Sequence, residues 1–341
     1  LENTFGVTQI PLGITSPLKI NGQYAQGEFM VPLATTEKSL IASISRGCKA
    51  VSDAGGATCL VTDDKMTRAP VYQINSLAEA QKLLSWIKAN FARLQELAAE
   101  NSRFTRLEGH RSWIAGRYVY VQFRFATGDA MGMNMVTKAS DRISRFIEQE
   151  LSFVKCLSVS SNMCTDKKPS ALNILEGRGK TVLSEILIPA ELVASILKTT
   201  PAAMAHTAFA KNQVGSAYAG ALGYNAHFAN PVSAIYIATG QDPAHVVEGS
   251  IGFCLMEEIN GALHASVTLP AIEVGTVGGG TRMETQQEAL QILGCLGSGD
   301  PPGSNARKLA EIVAATVLAG ELSLLAAQSV PHLAAAPTLT A

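Results

Sequence analysis

At 341 residues the chain is long enough for two domains and at least one substantial core. Its 47% apolar and 16% charged residues exclude a disordered class. A formal net charge of −1 excludes a global field for nucleic acid or an anionic membrane, so any phosphate binding must come from local basic clusters.

Six scattered cysteines form no C-x-x-C pair and no metal-ligand spacing, which points to a reduced compartment and to no metal site. The chain starts at Leu1 without Met and shows no cationic-plus-apolar leader and no run of eighteen apolar residues. We therefore expect a soluble chain, and leave open that it is the catalytic part of a longer, membrane-anchored protein.

In chain order, Ser76 to about Glu100 reads as a helix. Ser76 and Glu79 supply an S-x-x-E capping box, and Leu77, Leu83, Leu84, Ile87, Phe91, Leu94 and Leu97 follow helical spacing. Tyr118 to Phe125 alternates, with Val119, Val121, Phe123 and Phe125 on one face, and reads as a strand. Helical spacing returns from Met131 to about Phe153, before a short strand from Val154 to Val159. The flanks are richer in small residues and apolar helical runs such as Val214 to Leu222 and Ile312 to Ala327. The fold class expected is α+β: a large, mostly helical domain of residues 1–71 and 158–341, interrupted by a small domain of residues 72–157, with a hinge near Ser158 to Lys168. The Ala-rich end from Ala334 to Ala341 is expected to be mobile.

Four places could carry chemistry. Thr127 to Asn134 lies where a strand ends and a helix begins, so free N–H groups and the helix dipole suit a diphosphate there; a plain tight turn fits equally. Gly275 to Thr281 has three adjacent glycines that let backbone approach a ligand, or simply form a bulged turn. Asp166, Lys167 and Lys168 precede a helix start, where the dipole disfavours lysine, so they need another reason to be there. Glu37 and Asp242 are isolated carboxylates, each readable as a solvated end or a cap. Gly179-Lys180-Thr181 imitates a P-loop but fails on spacing, since Ile174 stands where the first glycine belongs.

Together the segments resemble the 3-hydroxy-3-methylglutaryl-coenzyme A (HMG-CoA) reductase family. The ordered matches include Val31 to Glu37, Met66-Thr67-Arg68, Gly128 to Met135, Ser160 to Pro169, Glu176 to Lys180, Asn225-Ala226-His227, Gly240-Gln241-Asp242 and Gly275 to Thr281. They run from residue 2 to about 333. The Asp129-Ala130-Met131-Gly132-Met133-Asn134 form and the doubled lysine resemble the eukaryotic and archaeal class, which uses NADPH.

The resemblance implies a helical domain that binds HMG-CoA, an inserted ferredoxin-like domain that binds the nicotinamide cofactor, and active sites at the interface of a homodimer or homotetramer. It implies reduction of a thioester to a primary alcohol by two successive hydrides, with coenzyme A leaving between them. By similarity Lys167 stabilises the oxyanion, Glu37 is a general acid, and Asp242 hydrogen-bonds to both. Arg68, Ser160, Asp166, Lys168, Lys211 and Asn230 match residues that hold the HMG end, where statin-like inhibitors compete; Ser43, Arg46 and Lys198 match positions near CoA phosphates. The cofactor loops match Asp129, Met131, Gly132, Met133 and Asn134, and Gly275, Thr276, Val277, Gly278, Gly279, Gly280 and Thr281. Ser102 and Arg103 match a pair near the 2′-phosphate, which favours NADPH over NAD. The same resemblance places the chain on a cytosolic face, with attachment to the endoplasmic reticulum left open.

One departure stands out. The family carries a catalytic histidine on a C-terminal flap, which protonates the departing CoA thiolate; its match is Pro337, while His332 matches a different, structural histidine. An early chain end, a divergent paralogue with impaired turnover that acts in inhibitor tolerance or regulation, and a substitute donor are the three readings. Loss of that acid predicts slowed turnover of HMG-CoA with near-normal reduction of mevaldehyde. His110, His206, His245 and His264 have no motif partner, and His227 reads as packed or capping.

Overall fold

The computed structural model describes residues 3–100 and 102–330. Glu2, His332, Pro337 and the Ala-rich end lie outside the described residues.

The described chain mixes helix and sheet around two apolar cores. The first gathers residues between 18 and 59 with others between 182 and 326, and the second is built within 66–154. The strand Ala57–Arg68 joins them. Its residues 58–65 pair with the strand Gly179–Ile188 beside the first core, and Met66, Thr67 and Arg68 pair with the strand Tyr118–Ala126 beside the second. Beyond Gly179–Ile188 the sheet continues antiparallel through Ala262–Ile272 to Phe253–Ile259. These three strands were not expected. They alternate buried and exposed residues over long stretches, but their small and polar residues (Ser184, Ser266, Thr268) hide the period-2 signal.

In the second core the expected strand faces inward as read: Val119, Val121, Phe123 and Phe125 are fully buried. The helix expected from Ser76 is two helices, Leu77–Ala89 and Phe91–Ala99, broken at Asn90, whose side chain donates to the Trp86 carbonyl at 2.9 Å. The capping box forms, with Ser76 accepting from the Glu79 N–H and Glu79 reaching back to the Asn75 N–H. The helix Met133–Glu150 starts at Gly132, whose φ of 94° no other residue adopts cheaply, and the Thr127 side chain fills the space where a Cβ would lie.

The helix Ser304–Gln328 crosses the first core. It is long and apolar enough to span a membrane by composition, yet 94% of its apolar window is buried in the protein. The run from Val214 to Leu222 is not one helix. A π-helical stretch, Phe209–Gly215, is followed by the short helix Ser216–Ala219, and Phe209, Val214 and Tyr218 stay exposed.

Candidate active site

The segment from Ser160 to Pro169 is a loop held in an unfavourable shape. Asn162, Thr165 and Lys167 all have positive φ, at 65°, 60° and 54°, where a side chain crowds its own backbone at a cost of about 1–2 kcal/mol each. Neighbours hold that shape. Gln122 donates to the Met163 carbonyl at 2.8 Å, Thr67 to Cys164 at 2.9 Å, and Asn173 to Lys168 at 2.9 Å and Thr165 at 3.3 Å. The Lys167 N–H donates to Glu248 Oε1 at 2.7 Å.

Thus fixed, Lys167 sends its Nζ to Asp242 Oδ2 at 2.9 Å. Asp242 is aimed in turn by its second oxygen, which accepts from the Ala244 N–H at 3.0 Å and caps the turn Pro243–His245. The hydrogen bond to Asp242 holds the Lys167 ammonium above the usual lysine range. For Asp242, burial pushes upward, but the Lys167 hydrogen bond and the Ala244 N–H outweigh it and leave the carboxyl below its ordinary value. The pair is a fixed cation and anion at neutral pH.

Behind the loop lies a buried charge cluster that the sequence did not reveal. Arg178 is fully buried; its Nη1 contacts Glu273, Glu248 Oε1 at 3.2 Å and Asp166 Oδ1 at 3.2 Å, and its Nε donates to Thr67 at 3.1 Å. His245 sets Nε2 at 3.2 Å from Asp166 and 4.0 Å from Asp242, with Nδ1 at 3.0 Å from Glu273. Burial pushes the Asp166 carboxyl up, yet the His245 hydrogen bond and the charge of Arg178 bring it well below the usual range. Asp166, His245, Glu248 and Glu273 bring one donor atom each within 4.8 Å of one another, but the guanidinium of Arg178 already supplies a positive charge among them. His245, Glu248 and Glu273 had no signal in the sequence, because only the fold brings residues 166, 178, 245, 248 and 273 together.

Lys167 and Asp242 stand at the wall of a cavity of about 660 Å³. Its other walls are Ala130 to Met135 at the start of the Met133–Glu150 helix, the Gly240–Pro243 turn, Gly275 and Val277 to Thr281. The glycines here answer to contact: a Cβ on Gly240 would lie 2.4 Å from the Gly280 carbonyl oxygen, and one on Gly275 would lie 2.3 Å from the Met131 nitrogen. Both glycine loops therefore pack at one cleft, with the start of the Met133–Glu150 helix in its wall.

Two expected cofactor contacts are placed elsewhere. Asp129 is buried, with its carboxylate taken up by the N–H groups of Gly299, Gly303 and Ala306 at 2.9, 2.7 and 3.0 Å, so it caps the Ser304–Gln328 helix instead of facing the cavity. Thr276 is buried too, and its hydroxyl donates to the Gly297 carbonyl at 2.7 Å. A second cavity of about 340 Å³, sharing Asn134 and Met135 with the first, is lined by Ser102, Thr105 and Lys138. Arg103 is not in its wall; its guanidinium lies 4.8 Å from the centre of the Phe104 ring.

Of the residues expected on the HMG side, Arg68 lies 3.9 Å from Asp166, Lys168 donates to the Asp166 carbonyl at 3.3 Å, and the Ser160 hydroxyl lies 3.4 Å from Cys164 Sγ. Glu37 does not meet Asp242 or Lys167 in the single chain. It is exposed in the turn before the helix Leu40–Asp53, with its N–H donating to Thr35. Exposed Lys211, on the π-helical stretch, and Asn230, 3.3 Å from His227, also lie outside the cavity wall. Ser43 and Arg46 instead bind Ser323, the hydroxyls at 2.9 Å and Arg46 Nη2 to the carbonyl at 2.6 Å; Lys198 is exposed at a left-handed helix end.

The family model described as hydroxymethylglutaryl-coenzyme A reductase matches residues 1–337. The chain is 54% identical over 338 residues to the 3-hydroxy-3-methylglutaryl-coenzyme A reductase of Pyrococcus abyssi, covering 98% of this chain and 83% of that protein. Against the reductase of Methanocaldococcus jannaschii it is 51% identical, with 98% and 82% covered, and against reductase 1 of Hevea brasiliensis 49% identical, with 96% and 57% covered. In fold it is similar to the class II reductase of Streptococcus pneumoniae bound to NADPH in open conformations, with a TM-score of 0.76 at 23% identity, over 97% of this chain and 88% of that one.

Proposed function

The chain belongs to the hydroxymethylglutaryl-coenzyme A reductase family, and from that premise we propose how its own residues carry out the reaction. It reduces HMG-CoA to mevalonate and free CoA with NADPH as the reductant. The observation that carries the site assignment is the Lys167–Asp242 pair at 2.9 Å on the wall of the cleft between the two glycine loops.

NADPH, when bound, supplies the two hydrides. Its fit is supported by Gly278 and Gly279 in the cleft wall, where an added Cβ would meet no protein atom within 4 Å, and by the start of the Met133–Glu150 helix in the same wall, which suits a diphosphate. The residues of the cleft wall, Met131 to Asn134 and Gly275 with Val277 to Thr281, hold it; Asp129 and Thr276 build the loops instead of touching it. Lys167 stabilises the oxyanion that each reduction creates, and Asp242 keeps the ammonium charged and aimed. Asp166, Lys168, Arg68 and Ser160 border the HMG end, whose carboxylate suits the cations there. Inhibitors that mimic this end, as statins do, compete for it.

Glu37, Lys211 and Asn230 are best explained as contributions from a second copy, as are Ser43, Arg46 and Lys198 toward CoA. Glu37 is exposed and unattached to Lys167 or Asp242 within one chain, and exposed Phe209, Val214 and Tyr218 support an oligomer. On this reading Glu37 completes the site as general acid across a homodimer interface, alone or within a tetramer. The division into a discontinuous large domain and an inserted ferredoxin-like cofactor domain is supported by the two separate cores, and the chain faces the cytosol. The alternative of a divergent paralogue with impaired turnover has no support from relatives that carry the reductase name at about half identity.

The test is spectrophotometric: NADPH oxidation with HMG-CoA and, separately, with mevaldehyde, on protein whose oligomeric state is measured. Oxidation with both is expected, and their ratio reports on thiolate protonation. A folded oligomer that oxidises NADPH with neither substrate refutes the reading.

A further inference from the structure

The Lys167 loop owes its shape to a residue with no part in the reaction as described above. Glu248, in the short helix Val246–Gly249, is fully buried and accepts the Lys167 N–H at 2.7 Å. With φ at 54°, Lys167 would relax without such a partner, and its Nζ would lose its aim at Asp242.

The surroundings of Glu248 do not balance in charge. Facing it are Lys167 and Asp166 from the loop, Arg178 ahead of the Gly179–Ile188 strand, Glu273 after the Ala262–Ile272 strand, His245 from the adjoining turn, and buried Tyr236 from the helix Ala229–Ala238. The Lys167–Asp242 pair neutralises itself. That leaves three carboxyls, Asp166, Glu248 and Glu273, against two permanent cations, Arg178 and Arg68, the latter 3.9 Å from Asp166, and His245 can offer one more positive charge. An uncompensated buried charge is strongly unfavourable, so the cluster is neutral with one further proton, on His245 or on a glutamate. Geometry offers Glu248 Oε2 as the place for a carboxyl proton: it is buried with no donor, whereas Glu273 Oε2 has His245 Nδ1 at 3.0 Å.

We propose that Glu248 is a positioning residue for Lys167, clamping its backbone N–H as a neutral carboxyl beside Glu273. This rests on Lys167 acting at the reacting carbonyl. Burial first, and then the neighbouring Glu273, hold the Glu248 carboxyl up to about 8. Below that pH Glu248 is neutral and the clamp is intact. Above it Glu248 ionises beside Glu273, and the repulsion between them releases the loop.

Glu248→Gln and Glu248→Ala separate this from a merely structural role. The amide of glutamine is permanently neutral, still accepts the Lys167 N–H and can donate to Glu273. E248Q should keep kcat within about threefold of the parent at neutral pH, and its alkaline decline should begin about one pH unit or more higher. E248A loses the clamp, and kcat should fall about tenfold or more with the KM for NADPH little changed, since small misplacements of a reacting group are costly. E248Q is the deciding variant if E248A melts. An alkaline decline in E248Q that coincides with the parent's, or E248Q as slow as E248A at neutral pH, overturns the proposal. A parent that reduces neither HMG-CoA nor mevaldehyde instead refutes the reductase reading on which it rests.

Discussion

Asp129 is the residue whose role changes most between motif and structure, and Asp129→Ala tests the change. Its carboxylate accepts three N–H groups, from Gly299, Gly303 and Ala306, at the start of the Ser304–Gln328 helix. Each bond to a charged acceptor contributes about 1.5–3 kcal/mol, and interaction with the helix dipole up to ~2 kcal/mol. The three share one carboxylate and are not additive, so a loss of about 3–5 kcal/mol is expected. That is a large share of the 5–15 kcal/mol that usually holds a protein folded. Asp129→Asn keeps acceptors but loses the charge, and should fall between parent and alanine. Urea denaturation of the three proteins measures the cost, and NADPH titration of the folded variants measures binding. If D129A loses less than about 1 kcal/mol while NADPH affinity collapses, the carboxylate faces the cofactor and the structural assignment is wrong.

Lys167→Ala should lower kcat on HMG-CoA by about 10²–10³ with a small change in the KM for NADPH, and a loss under tenfold would remove Lys167 from the oxyanion. The second cavity is lined by Lys138 and not by Arg103; K138E should therefore reduce the preference for NADPH over NADH by about tenfold or more, and R103A should reduce it less, as competition kinetics with both cofactors will measure. Mixing Glu37→Gln with Lys167→Ala subunits should restore about a quarter of parental activity if each site is shared between two chains, and no recovery would place Glu37 in its own chain's site. Asp166 is held below its ordinary pKa in the folded protein. Its contribution to stability is thus complete above the unfolded value near ~4 and is lost as pH falls below it. D166N should flatten the acid side of a melting-temperature profile, and an unchanged acid side would contradict that assignment.

What was legible in the sequence was what short spacing controls. Ser76 and Glu79 announce a cap three residues apart, the Tyr118–Ala126 strand shows its period over eight residues, and Asp166-Lys167 is odd enough at a helix start to need a reason. The family motifs added the Lys167–Asp242 partnership, which no spacing could give. Illegible residues depend on distant chain. His245 looks like an ordinary histidine until Asp166 and Glu273 close on either side of it, and Glu248 is a lone acid in an apolar stretch until Lys167 turns its N–H inward. Asp129 misled because a motif position says that a residue is required, not what it touches.

The Ser304–Gln328 helix explains why these scattered segments answer to one another. Its apolar length fills the first core, and while buried Thr316 donates to the helix's own Ile312 carbonyl, its buried glutamates and Ser323 hold distant segments of the chain. Glu311 accepts the N–H groups of Gln23, Tyr24 and Ala25, and Glu321 accepts those of Ala226 and His227, in the segment that leads to Asn230. Ser323 takes up Ser43 and Arg46, and the helix N-terminus is closed by Asp129 from the loop before the Met133–Glu150 helix. Burial raises the pKa of both glutamates, and the N–H groups they accept oppose that rise. Burying an acid costs free energy unless such donors meet it, so each glutamate fixes a loop as firmly as it is itself fixed. A helix that composition alone would offer to a membrane is, by this bonding, the rod against which the Asp129 loop, Ser43 and Arg46, and the Asn225-Ala226-His227 segment are all set.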